Sequence, residues 1–108
     1  MLTMSMLESS TLKPAELFIL AVLRSGPLHG YGIVQEVAAR SQGRIRIRPG
    51  NLSRVLDRML ERGLVEVAGQ RGADDQRRTD YRITPLGRRT AQAEAKLLAG
   101  LIVDLLAT

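Results

Sequence analysis

Between positions 49 and 63 the apolar residues fall at Leu52, Val55, Leu56, Met59 and Leu60. That is the i, i+3, i+4, i+7, i+8 spacing of one buried helix face. Pro49 suits the first helical position and Gly63 the position just past the end. The opposite face carries Asn51, Ser53, Arg54, Asp57, Arg58, Glu61 and Arg62. Upstream, Pro14 and Glu16 open a helix whose residues 17–23 are apolar all round, so it belongs at the centre of the fold; Ser25-Gly26-Pro27 stops it. Positions 28–33 lead into a second helix to about Ser41, with Ile33, Val34, Val37 and Ala38 inward. Positions 44–48 alternate with period two and predict a short strand with Ile45 and Ile47 inside. Further strands are expected over 64–67, with Glu66 outward, and 77–84, with Tyr81 and Ile83 inward. The polar stretch 68–76 between them predicts a flexible turn. Thr84 and Pro85 then cap and start a helix running to about Leu106, on the order of 33 Å long.

This order predicts a mainly α chain with a small β-hairpin wing: a winged helix-turn-helix followed by a long dimerisation helix. The expected divisions are an N-terminal arm or short helix over 1–11, the winged domain over 12–84, and the dimerisation helix over 85–108. Leu97, Leu98, Leu101, Ile102 and Leu105 give the tail more apolar surface than a small core can use, so a second copy is expected to cover it.

Charge sharpens this picture. The chain carries a net +5, and its cations are almost all arginine. Thirteen arginines against six acids lie between positions 40 and 89, while both flanks are slightly acidic. A basic middle between near-neutral ends is the footprint of a polyanion site, and arginine forks onto phosphate and base edges better than lysine. Cysteine is absent and His29 is the only histidine, which removes thiol chemistry and makes a zinc site improbable. No cofactor, no metal and no enzymatic activity are expected; Asp74-Asp75 is read as a turn element rather than an acid pair. No signal-peptide pattern and no 18-residue apolar run is visible, so a soluble cytoplasmic protein without membrane contact is expected.

On the 49–63 helix, Asn51, Ser53 and Arg54 are the expected readers of base edges, because asparagine pairs with adenine and arginine with guanine. Tyr31, Arg48 and Arg58 are expected on phosphates, and Arg71, Arg77 and Arg78 on the backbone beside the wing. Gly30 and Gly32 are costly inside a helix; close packing on the first helix or an approaching phosphate would account for them. His29 is read as a turn or cap residue. The rival is a winged module that docks a protein, which would need an apolar outer face on the 49–63 helix.

Several blocks in the right order make the chain resemble the PadR family of transcriptional regulators over about 12–89. Leu12-Lys13-Pro14-Ala15-Glu16-Leu17 resembles the family's first-helix opening, and Gly26-Pro27-Leu28-His29-Gly30-Tyr31 the start of its second helix. Pro49-Gly50-Asn51-Leu52-Ser53, followed by Leu56, Met59 and Leu60, resembles its recognition helix. Glu61-Arg62-Gly63-Leu64-Val65 and the run 77–87 resemble its helix exit, wing strand and last-helix start. The resemblance implies a homodimeric double-stranded DNA-binding regulator, usually a repressor, often released by a small phenolic or drug-like effector. Ser53 stands where the family usually has tyrosine, and Lys13 where it usually has serine or threonine. Members that sandwich flat drugs often use a tryptophan in the last helix, which this chain lacks. The last helix also ends early, as in the family's short branch.

Overall fold

A computed structural model of the 108-residue chain describes residues 12–72 and 78–107. The elements run α1 (Pro14–Leu23), β1 (Leu28–His29), α2 (Gly30–Arg40), α3 (Pro49–Glu61), β2 (Val65–Arg71), β3 (Arg78–Ile83) and α4 (Pro85–Leu106). The expected arm over 1–11 lies outside the described residues.

The core forms where the apolar stripes of the three short helices meet. Ile19, Leu20 and Leu23 of α1, Ile33 and Val37 of α2, and Leu52, Leu56 and Met59 of α3 are all buried, with Leu64, Val65 and Ile83 closing the layer from the sheet. Pro14 opens α1, and the Glu16 carboxylate turns back to accept the Lys13 backbone N–H at 2.8 Å. Lys13 itself supplies no cap, as its side chain requires. Helix α3 ends at Gly63, which has φ +74°. Gly63 N–H donates to Leu60 O at 3.0 Å and Leu64 N–H to Met59 O at 2.9 Å, the paired bonds of a Schellman turn. The same bonds end α2, but there Gln42 takes the left-handed position, at φ 57°.

The sheet is antiparallel with order β1-β3-β2. Val65 pairs with Ile83 and Val67 with Tyr81, and the register then shifts at Ala68 so that Gly69 faces Asp80. The strands reach Arg71 and Arg78, so the connection is shorter than 68–76. Two expectations change here. Positions 44–48 form no strand, although Ile47 is buried and Arg44, Arg46 and Arg48 are exposed: the alternation records burial alone, and the segment pairs with none of the three strands. Conversely, Leu28 and His29 form a strand paired with Tyr81 and Asp80, which the sequence pattern does not announce.

Thr84 joins the wing to α4. Its hydroxyl donates to Gly63 O at 2.6 Å and accepts from Gly87 N–H at 2.9 Å, as its expected capping role requires. Gly87 lies so close to the Leu64 carbonyl that no side chain fits. From there α4 runs past the domain, and its second half is largely exposed.

Candidate nucleic-acid interface

Helices α2 and α3 form a helix-turn-helix whose second member turns its polar face outward. Asn51, Ser53, Arg54, Asp57 and Arg58 are all exposed, while Leu52, Leu56 and Met59 between them point into the core. The start of α3 has neither a side-chain cap from Arg48 nor an acidic residue in its first turn. Its positive dipole end is therefore left for an external anion. The Ser53 hydroxyl reaches back weakly to Pro49 O at 3.5 Å.

The wing stands beside this face. Arg78 begins β3 and is exposed, with Arg71 as its cross-strand partner in the backbone register. Arg77 lies outside the described residues, as does the side chain of Arg71. Two further arginines are engaged elsewhere: Arg82 Nε donates to Glu66 Oε1 at 2.8 Å, and Arg62 Nη1 to Glu16 Oε2 at 3.5 Å. The basic centre is thus divided between arginines paired with acids and cations that face outward.

The first turn of α2 sits between these two elements. Tyr31 is 67% exposed, with its ring centroid 6.5 Å from that of His29. His29 precedes α2 without capping it through its side chain. Close packing accounts for one of the two glycines: a Cβ on Gly30 would press on Leu52 Cδ2 at 3.2 Å, whereas one on Gly32 would make only ordinary contact with the His29 ring at 3.4 Å. The close neighbours are α3 and the preceding turn, not the first helix. Together the start of α2, the first turns of α3 and strand β3 enclose a cleft of about 430 Å³. His29 and Thr79 line it; neither was singled out from the sequence as a site residue, and only the fold brings them beside Ser53. Tyr81 also lines it. Burial, and secondarily the Asp57 charge, raise its hydroxyl above the ordinary 10.0.

A second groove, about 480 Å³ and mainly apolar, lies between α1 and α4. Leu98 and Ile102 line it. Leu97, Leu101 and Leu105 are 60%, 50% and 73% exposed. All five expected dimer-contact residues are therefore on α4, with Leu98 alone half-buried. Among the described residues, no group of acids and histidines could hold a metal ion, and no helix is long and apolar enough to cross a membrane.

Three short helices and a three-stranded antiparallel sheet, with the polar face of α3 exposed, define a winged helix-turn-helix protein. The sequence matches the transcriptional regulator PadR-like family over residues 19–93, and the chain belongs to that family. It is 33% identical over 90 residues to a 37.1 kDa protein of transposon TN4556 from Streptomyces fradiae; the match covers 81% of this chain but only 24% of that curated relative's length. A PadR family transcriptional regulator from Eggerthella lenta is similar in structure, with TM-score 0.65 and 26% identity, over 86% of this chain and 81% of that one. A transcriptional regulator from Clostridium thermocellum gives TM-score 0.69 at 23% identity, over 86% and 92%. Bacillus subtilis PadR, in complex with operator DNA, gives 0.68 at 15%, over 88% and 62%. The last two likenesses speak for the fold alone.

Proposed function

We propose that this chain is a sequence-specific double-stranded DNA-binding regulator, acting as a homodimeric repressor on a near-palindromic operator. The observation that carries the reading is the exposed face of α3: polar and cationic at an uncapped helix start, with Arg78 of the wing beside it. A helix of this kind fits a major groove with its N-terminal residues on the bases. Asn51, Ser53 and Arg54 read base edges; Tyr31, Arg48 and Arg58 hold phosphates; Arg71, Arg77 and Arg78 hold the backbone beside the wing. Membership of the PadR-like regulator family supports DNA as the partner, and a protein that shares this fold, Bacillus subtilis PadR, stands in complex with operator DNA. A protein-docking role is disfavoured, because such a surface would need apolar residues where α3 exposes Asn51, Arg54, Asp57 and Arg58.

Residues 12–84 form the DNA-reading unit, and 85–108 pair two copies through Leu97, Leu98, Leu101, Ile102 and Leu105, aided by 1–11. Half-sites then lie roughly one helical turn, about 34 Å, apart. Repression follows from occupying a promoter, and a small-molecule effector acting on the paired helices releases it. Selection of bound sequences from random duplexes by the purified chain, with its mass measured in parallel, tests the proposal. A symmetric site bound by a dimer is expected; a monomer indifferent to duplexes in dilute salt overturns it.

A further inference from the structure

The cleft between α2, α3 and β3 has a chemistry that the reading of α3 alone does not use. Among the described residues, its polar lining is His29, Tyr31, Ser53, Arg78, Thr79 and Tyr81, with no acid among them. Each of these side chains offers a hydrogen-bond donor, and Arg78 adds a fixed positive charge. The first turn of α2 opens beside them with no side-chain cap from His29 and no acid to offset its dipole. Free backbone N–H groups, a positive helix end and several hydroxyls converging from three elements suit a doubly liganded phosphate oxygen. Leu52 and Leu56 form the floor, which excludes water from one side and strengthens each polar contact.

The location fixes which phosphate chemistry enters. Ser53 sits on the exposed face of α3, one residue from Arg54, so the cleft opens alongside the surface that meets bases. Resting on the DNA-binding reading above, we propose that this cleft seats one backbone phosphodiester of each half-site, gripped at once by the start of α2 (His29, Tyr31) and by the wing strand (Arg78, Thr79). Ser53 then belongs to phosphate positioning as much as to base reading. The consequence is mechanical: one phosphate ties the wing to the helix-turn-helix, so the two act on DNA as a unit.

The test uses the full chain and its selected duplex, with single phosphates replaced in turn by neutral methylphosphonates. In the unaltered protein, one substituted phosphate per half-site is expected to weaken binding about tenfold or more, the size of a lost charge-assisted contact. In Tyr31→Phe and in Thr79→Val, the penalty at that same position shrinks several-fold while penalties elsewhere stay. Penalties relieved at two different phosphates by the two variants would overturn the shared seat. So would a free mononucleotide that displaces the duplex and binds less tightly to Thr79→Val, since the cleft would then be a small-molecule site. Both variants are conservative, and circular dichroism confirms that they fold. Failure of the unaltered chain to bind any duplex removes the regulator reading and the seat together; duplex binding with unshared penalties removes the seat only.

Discussion

Arg62, at the end of α3, reaches Glu16 in the first turn of α1, with Nη1 and Oε2 3.5 Å apart. The Glu16 side chain is 6% exposed and that of Arg62 35%. One carboxylate thus receives the Lys13 backbone N–H on one oxygen and the Arg62 guanidinium on the other, joining the exit of α3 to the start of α1. Arg62→Ala leaves a buried carboxylate short of a partner and is expected to cost about 1–3 kcal/mol. Glu16→Gln keeps the backbone bond and is expected to cost less. A double-mutant cycle in urea unfolding measures the coupling; simple additivity would show the pair to be inert.

Gly87 is the root of α4. A Cβ there would strike the Leu64 carbonyl and meet Ile83 Cγ1 at 3.0 Å. Both neighbours sit in the junction that Thr84 braces, so neither yields cheaply. Gly87→Ala is expected to destabilise by about 3 kcal/mol or more, read as a lower urea midpoint. Gly100→Ala, where nothing lies within 4 Å, is expected to leave stability unchanged or slightly raised.

Arg54 and Arg78 are expected to divide specificity from adhesion. Arg54→Ala is expected to narrow the gap between operator and random DNA by about 1–3 kcal/mol. Arg78→Ala is expected to weaken every duplex alike and to lower the slope of log affinity against log salt by about one. Fluorescence titration across a salt series separates the two; an unchanged slope in Arg78→Ala would take the wing off the DNA.

Leu101, half-exposed on α4, offers a way to separate pairing from folding. Leu101→Glu places a charge on the face expected to meet a second copy. Sedimentation is expected to show the monomer, with the unfolding transition of the domain retained. A variant that still sediments as a dimer would move the interface elsewhere.

Tyr81 gives a signature at alkaline pH. Burial and then the Asp57 charge hold its hydroxyl above 10.0. The unfolded chain therefore loses this proton first. Its contribution is intact below about pH 10 and is lost as pH rises through the folded-state value. Tyr81→Phe is expected to remove that part of the alkaline slope, and Asp57→Asn to reduce it, in urea titrations between about pH 9 and 11.

The parts of this architecture that depend on near neighbours were legible in the sequence. The stripe from Leu52 to Leu60, the stop at Gly63 and the Thr84 cap are local, and helix periodicity and capping act locally. β1 was not legible, because a two-residue strand exists only through its pairing with Tyr81 and Asp80, some fifty residues away. Ile45 and Ile47 misled for the complementary reason: alternation reports which side chains are inward and says nothing about whether the segment pairs with another strand. From the sequence Glu16 is only a residue that opens α1; its pairing with Arg62, 46 positions along the chain, comes from the fold. His29 and Thr79 carry no motif that joins them, so their shared cleft had to come from the fold.

Helix α4 leaves the domain from a crowded root and extends about 33 Å. Such a rod magnifies angle into distance: a tilt of about 10° at Gly87 sweeps its far end through roughly 5 Å. If two subunits are clasped near those far ends, the same tilt respaces the paired reading helices against the fixed pitch of the duplex. A molecule wedged between the rods would then need to turn them only slightly to put one half-site out of step with the other.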